Sequence, residues 1–110
     1  MQLEIKTWLQ DIERSISEIY EFIGNRKNFK NFQNDLKAKK AVERNIEIIG
    51  EALNRILKIQ PEIPISNSRK IVDTRNRIIH GYDTITADVL WLIVTRNIPI
   101  LEKEVKQLLK

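Results

Sequence analysis

Cysteine is absent from the chain. That removes disulfides, Cys-ligated zinc and thiol catalysis from the possible chemistries, and it suits a reducing cytoplasm. A single histidine, His80, occurs, so a histidine-based metal site is disfavoured and neither a metal nor another cofactor is expected. Glycine and proline number three each, too few for a disordered chain. No apolar run approaches the ~18 residues that a membrane span needs. The N-terminal MQLEIKTWLQDIERS is interrupted by charges every few residues, so a soluble, cytoplasmic protein with no membrane association is expected. What is abundant is a mixture of 42% hydrophobic and 31% charged residues in 110 positions. That composition fits one helix-rich domain over residues 1–110, large enough for a single core and too small for a deep site of its own. The balance of 19 Lys and Arg against 15 Asp and Glu, net +4, permits a polyanionic partner without requiring one.

Along the chain the apolar residues recur at helical spacing. Ile5, Trp8, Leu9, Ile12, Ile16, Ile19, Tyr20 and Ile23 form one stripe, which predicts an amphipathic helix ending near Gly24 and Asn25. Trp8 and Tyr20 lie in register with the aliphatics and read as core. Residues 27–35 read as a short connector with Phe29 and Phe32 tucked against the bundle. A second helix is expected from about Asn34, with Val42, Ile46, Ile49, Leu53, Ile56 and Leu57 as its stripe, ending near Gln60 because Pro61 cannot continue it. Gly50 inside this helix costs roughly 1 kcal/mol relative to Ala, which suggests that another backbone approaches closely there. Asn45, at the edge of the stripe, reads as a solvated or locally bonded amide.

PEIPIS, residues 61–66, is a stiff connection, and Ser66 or Ser68 is placed to cap a third helix through SRKIVDTRNRIIH. Thr84 or Thr86 can cap a last helix. That helix opens with six consecutive apolar residues, Val89 to Val94, whose all-round apolarity predicts burial on both sides, one of them at a subunit interface. Pro99 predicts a kink or a one-turn break near Thr95 to Ile98.

The stretch RNRIIHGY, Arg75 to Tyr82, is not explained by packing alone. Ile71, Val72, Ile78 and Ile79 make one apolar arc of the third helix, and Arg75 and Tyr82 project from within it. A charge on such a face is costly unless it is paired or the face lines a cleft, and no partner is evident within the helix. His80 lies about 140° around the helix from Arg75, so one ideal helix cannot aim both side chains at one atom. Either Gly81 ends the helix and lets the chain turn, or a symmetry-related copy supplies the second group. The available residue types suit cleavage of an RNA phosphodiester. A base takes the 2′-hydroxyl proton, an acid protonates the leaving oxygen, and a cation stabilises the charge growing on phosphorus. Histidine serves as acid or base, arginine offers planar donors to phosphate oxygens, and Asn76, about 40° from His80, is placed to orient the imidazole or bind phosphate. Against this, a lone histidine near a helix C-terminus often only interacts with the helix dipole.

Arg75-Asn76, three residues, then His80-Gly81-Tyr82 resembles the signature of HEPN-domain proteins. The added tyrosine is similar to the HepT-like toxin branch. Ile48-Ile49-Gly50-Glu51-Ala52, Pro61-Glu62-Ile63-Pro64, and Val89-Leu90-Trp91 ahead of Ile98-Pro99 occur in the order that branch shows. The resemblance implies an all-α, up-and-down bundle of four to five helices that forms a homodimer. It implies the toxin of a type VII-like toxin–antitoxin module, a metal-independent ribonuclease with RNA, tRNA among the targets, as its substrate. Arg75 and His80 would be catalytic and Asn76 supporting. Tyr82 would accept AMP from a minimal nucleotidyltransferase antitoxin and so silence the toxin. A non-catalytic module that binds nucleotide or RNA beside such a transferase is the alternative, and a purely structural dimer is the third reading.

Overall fold

The computed structural model describes residues 1–24, 28–80 and 85–110. Each helix follows from a start and a stop written in the chain. Helix α1 (Leu3–Ile23) carries Glu4 in its first turn and ends at Gly24, whose φ of 60° a side chain would resist and whose N–H donates to the Tyr20 carbonyl at 2.7 Å. Helix α3 (Leu36–Ile59) begins where the Asp35 carboxylate accepts from the Ala38 N–H at 3.0 Å, and it stops two residues before Pro61. Helix α4 (Ser68–His80) spans the expected SRKIVDTRNRIIH.

The expected connector over residues 27–35 is instead partly helical. Asn28 accepts from the Lys30 N–H at 2.8 Å and the Asn31 N–H at 3.4 Å, which starts α2 (Phe29–Gln33) and moves the next helix start from Asn34 to Leu36. The rings of Phe29 and Phe32 meet Trp91 at centroid distances of 6.2 and 5.3 Å, so aromatic packing holds this turn against the last helices. Neither serine caps α4 as expected. Asn67, at φ 59°, turns the chain and its carbonyl accepts from the Ile71 N–H. Ser66 faces the other way: its N–H and hydroxyl both donate to the Glu104 carboxylate at 2.9–3.2 Å, tying the proline-rich connection to the C-terminal helix.

Helix α5 (Ala87–Leu92) and helix α6 (Ile98–Leu109) are joined by a π turn, Ile93–Asn97. Pro99 has no N–H, and its ring crowds the Thr95 carbonyl. The wider turn relieves that crowding, and the Thr95 hydroxyl donates to the Trp91 carbonyl at 2.8 Å within it. The break expected near Thr95 to Ile98 is thus a widened turn. Counting α5 and α6 as one rod, five helical rods make an all-α bundle, with no strand among the described residues. The largest interfaces are α1 on α3 and α3 on α4, and α6 closes on α1. Between them lies a core rich in isoleucine: Ile5, Ile12, Ile16, Ile46, Ile49 and Ile71 are all 1% exposed or less.

Burial along the apolar runs is uneven. Within one chain, Leu90, Ile93 and Val94 of the Val89 to Val94 run are buried and Leu92 is 43% exposed. On α4 the arc is buried at Ile71 and Val72 and opens toward the helix end, where Ile79 is 45% exposed. Asn45 is buried, and of the two expected readings it is the locally bonded amide. Its Nδ2 donates to the Ala41 carbonyl at 3.0 Å, while its Oδ1 is buried without a partner. Trp8 and Tyr20 pack against the core but remain half-buried.

Candidate functional site

Gly50 and Arg75 meet where α4 crosses α3. A Cβ placed on Gly50 would stand 2.4 Å from Arg75 Cβ and 2.8 Å from Arg75 Cγ, with the Ile71 carbonyl oxygen at 3.4 Å. The close neighbour that Gly50 accommodates is therefore the stem of Arg75, more than the backbone expected there. Lacking a side chain, residue 50 lets the arginine run across α3 to the next residue, Glu51.

There the guanidinium finds its partner. Arg75 Nη2 donates to Glu51 Oε2 and Nη1 donates to Asn76 Oδ1 at 2.8 Å. Glu51 is itself held from the other side, where Arg55 Nε donates to Oε1 at 3.0 Å. The Arg75 side chain is 20% exposed and Glu51 38%, so the pair sits at the edge of the bundle rather than inside it. An arginine among isoleucines is thus tolerated because a neighbouring helix supplies both the space and the counter-charge. The separation of 24 positions between Glu51 and Arg75 hides this pairing from any reading of one helix.

Arg75 opens into a cleft of about 450 Å³ between α1, α3 and α4. Its charged lining is balanced: Arg44, Arg55 and Arg75 face Asp11, Glu47 and Glu51. Trp8 and Ile79 add apolar surface at its walls, so the half-buried indole borders the cleft as well as packing on the core.

The structure brings Arg75 and Asn76 together and leaves His80 apart. Asn76 Oδ1 accepts from the guanidinium. His80 is the last residue of α4, exposed, and not among the residues lining the cleft, as the angular separation of the two positions requires. Tyr82 and Gly81, expected as AMP acceptor and helix terminator, lie outside the described residues, as do Asn25 and Thr84. Among the described residues no group of three or more acidic or histidine side chains could hold a metal ion, and no helix is long and apolar enough to cross a membrane. Glu51 is the residue of this site that sequence reasoning missed. Its signal was its place beside a mid-helix glycine.

Residues 12–108 match the family described as ribonuclease HepT-like. A protein of Thermococcus cleftensis named as a ribonuclease HepT is 36% identical over the whole of both chains. Two proteins of Methanocaldococcus jannaschii named as RNases are 30% identical over 97% of this chain and 88% of their own, and 34% identical over 94% of each. No solved structure matches the chain.

Proposed function

Because the chain belongs to the HepT-like ribonuclease family, we propose that it cleaves RNA without a metal, as the cytoplasmic toxin of a two-gene module, with Arg75, Asn76 and His80 as its catalytic residues. The observation that carries this reading is the seating of Arg75. Its stem is fixed on Gly50 and two of its N–H groups are engaged, which leaves the remaining donors of a five-donor group to meet phosphate oxygens at the mouth of an open cleft.

In the reaction the 2′-oxygen of a ribose attacks the adjacent phosphorus as its proton passes to a base. The bond to the 5′-oxygen breaks as an acid protonates it. His80 takes one of these proton-transfer roles. Arg75 stabilises the charge growing on the phosphoryl oxygens, and Asn76 keeps its guanidinium in plane. Since one chain separates His80 from Arg75, the site is completed by a homodimer in which His80 of a second copy reaches the Arg75 cleft across a two-fold axis. Tyr82, two residues beyond His80, accepts AMP from a nucleotidyltransferase antitoxin. The added phosphate and nucleoside would repel and obstruct RNA beside the groove.

Growth after induction of the chain alone tests the assignment. Arrest by the parent and relief by both Arg75→Ala and His80→Ala are expected; two variants as toxic as the parent would end the catalytic assignment. Co-expression with the transferase should add the mass of AMP, and Tyr82→Phe should abolish the gain. The separation of His80 from Arg75 within one chain also favours a second reading, a module that binds RNA without cutting it. In that case purified protein would retain a labelled RNA intact.

A further inference from the structure

Resting on the proposed role of Arg75, we infer that Glu51 is a positioning residue for the phosphate-binding guanidinium, and that Gly50-Glu51 on α3 and Arg75-Asn76 on α4 form one unit built for that purpose. Gly50 fixes where the arginine stem runs, since any side chain at residue 50 would occupy the place of Arg75 Cβ and Cγ. Glu51 fixes where it ends. A carboxylate on a flexible stem would be a poor anchor, but this one is held by Arg55 through its other oxygen, so the position it imposes on Arg75 Nη2 is defined from α3. Asn76 Oδ1 accepts from the other terminal nitrogen, Nη1. A long side chain that would otherwise be ordered only on binding substrate is ordered beforehand.

The same contacts argue that Glu51 orients Arg75 rather than blocking it. It engages one terminal nitrogen, and although the cleft lining as a whole is charge-balanced, the Arg55–Glu51–Arg75 cluster within it is net positive, so an anion in contact with the open N–H groups meets attraction from its nearest charges. The carboxylate need not touch RNA to act.

The experiment compares full-length parent, Glu51→Ala, Glu51→Gln, Arg75→Ala and the Glu51→Ala/Arg75→Ala pair. A fluorescein-labelled mixed-sequence RNA oligonucleotide serves as probe, its affinity read by anisotropy and its cleavage rate with protein in saturating excess. Glu51→Ala should slow cleavage about 10–100-fold, the cost of a misplaced catalytic group, while RNA affinity changes less than about threefold. Glu51→Gln, whose amide oxygen can accept the same bond, should recover most of the rate, and Glu51→Ala should cost nothing further once Arg75 is alanine. Unchanged cleavage in Glu51→Ala would overturn the inference. So would equal loss in Ala and Gln, which would make the carboxylate a reacting group, or a loss that tracks the melting temperature and persists in the Arg75→Ala background, which would make it structural. If Arg75→Ala cleaves like the parent, the proposed function itself fails, and that result is separate from the others.

Discussion

Replacing Gly50 with alanine sets two physical effects against each other with opposite signs. Intrinsic helix propensity favours alanine by about 1 kcal/mol in a helix interior, so if residue 50 merely faced open space the variant would be the more stable protein. The structure predicts the reverse. The new Cβ would stand 2.4 Å from Arg75 Cβ, against a carbon–carbon optimum of ~3.5–4.0 Å. The atom it strikes is rigidly attached to the α4 backbone and cannot swing aside as a side-chain tip would. Helices α3 and α4, one of the two largest interfaces of the bundle, must therefore separate by roughly 1 Å or shift along each other. Overpacking costs about 1–3 kcal/mol, and contact with a Cβ that cannot move puts this case at about 2–3 kcal/mol, so after the propensity gain of about 1 kcal/mol the net loss is about 1–2 kcal/mol. In a domain of this size that lowers the midpoint of thermal unfolding, followed by circular dichroism, by roughly 4–8 °C for each kcal/mol lost. Arg75→Gly in the same background removes both clashing carbons and should return part of the loss, a coupling expected only of residues in contact. A Gly50→Ala protein that melts higher than the parent would refute the packing argument, and with it the claim that Arg75 is seated on this glycine.

Asn45→Leu should stabilise the fold by about 1 kcal/mol, because it removes a buried acceptor that has no donor; a urea midpoint lower than the parent's would count against this. Burial first, and the Glu102 carboxylate second, raise the Tyr20 phenol above its ordinary value of 10.0. A group raised in the folded state stabilises below its unfolded value and loses that contribution as pH rises through and beyond it. Tyr20→Phe should therefore lose less stability than the parent above about pH 10 in parallel melts, and identical alkaline profiles would contradict the assignment. Glu104→Ala releases Ser66 from α6 and should cost about 1 kcal/mol, seen as a fall of roughly 4 °C in melting temperature; Ser66→Ala should lose less, since its N–H remains.

The parts of this fold that could be read from the chain are those decided locally. Helix α4 runs from Ser68 to His80 because the apolar period begins after a proline-rich stretch, and α3 stops before Pro61 because the ring forbids continuation. Arg75 stood out because a guanidinium on an apolar arc needs a reason. What the chain did not disclose is decided between elements. Glu51 reaches Arg75 across 24 positions and Glu104 reaches Ser66 across 38, and no periodicity within one helix encodes a partner on another. Helix α2 was missed for a different cause: five residues carry too little pattern to outweigh their polar neighbours, and it is the Asn28 side chain and the Trp91 ring that decide it.

The two halves of the proposed chemistry are held by unequal means. Arg75 is fixed inside one chain on α3, at the cleft, whereas His80 is exposed at the end of α4 and does not line that cleft. On the proposed mechanism a single protomer is therefore ready to bind phosphate and unable to transfer the proton, so activity should depend on protein concentration more steeply than RNA binding does. That asymmetry also fits the proposed control at Tyr82. A modification two residues from the imidazole would act at the exposed end of α4, while α3 continues to hold the arginine in place.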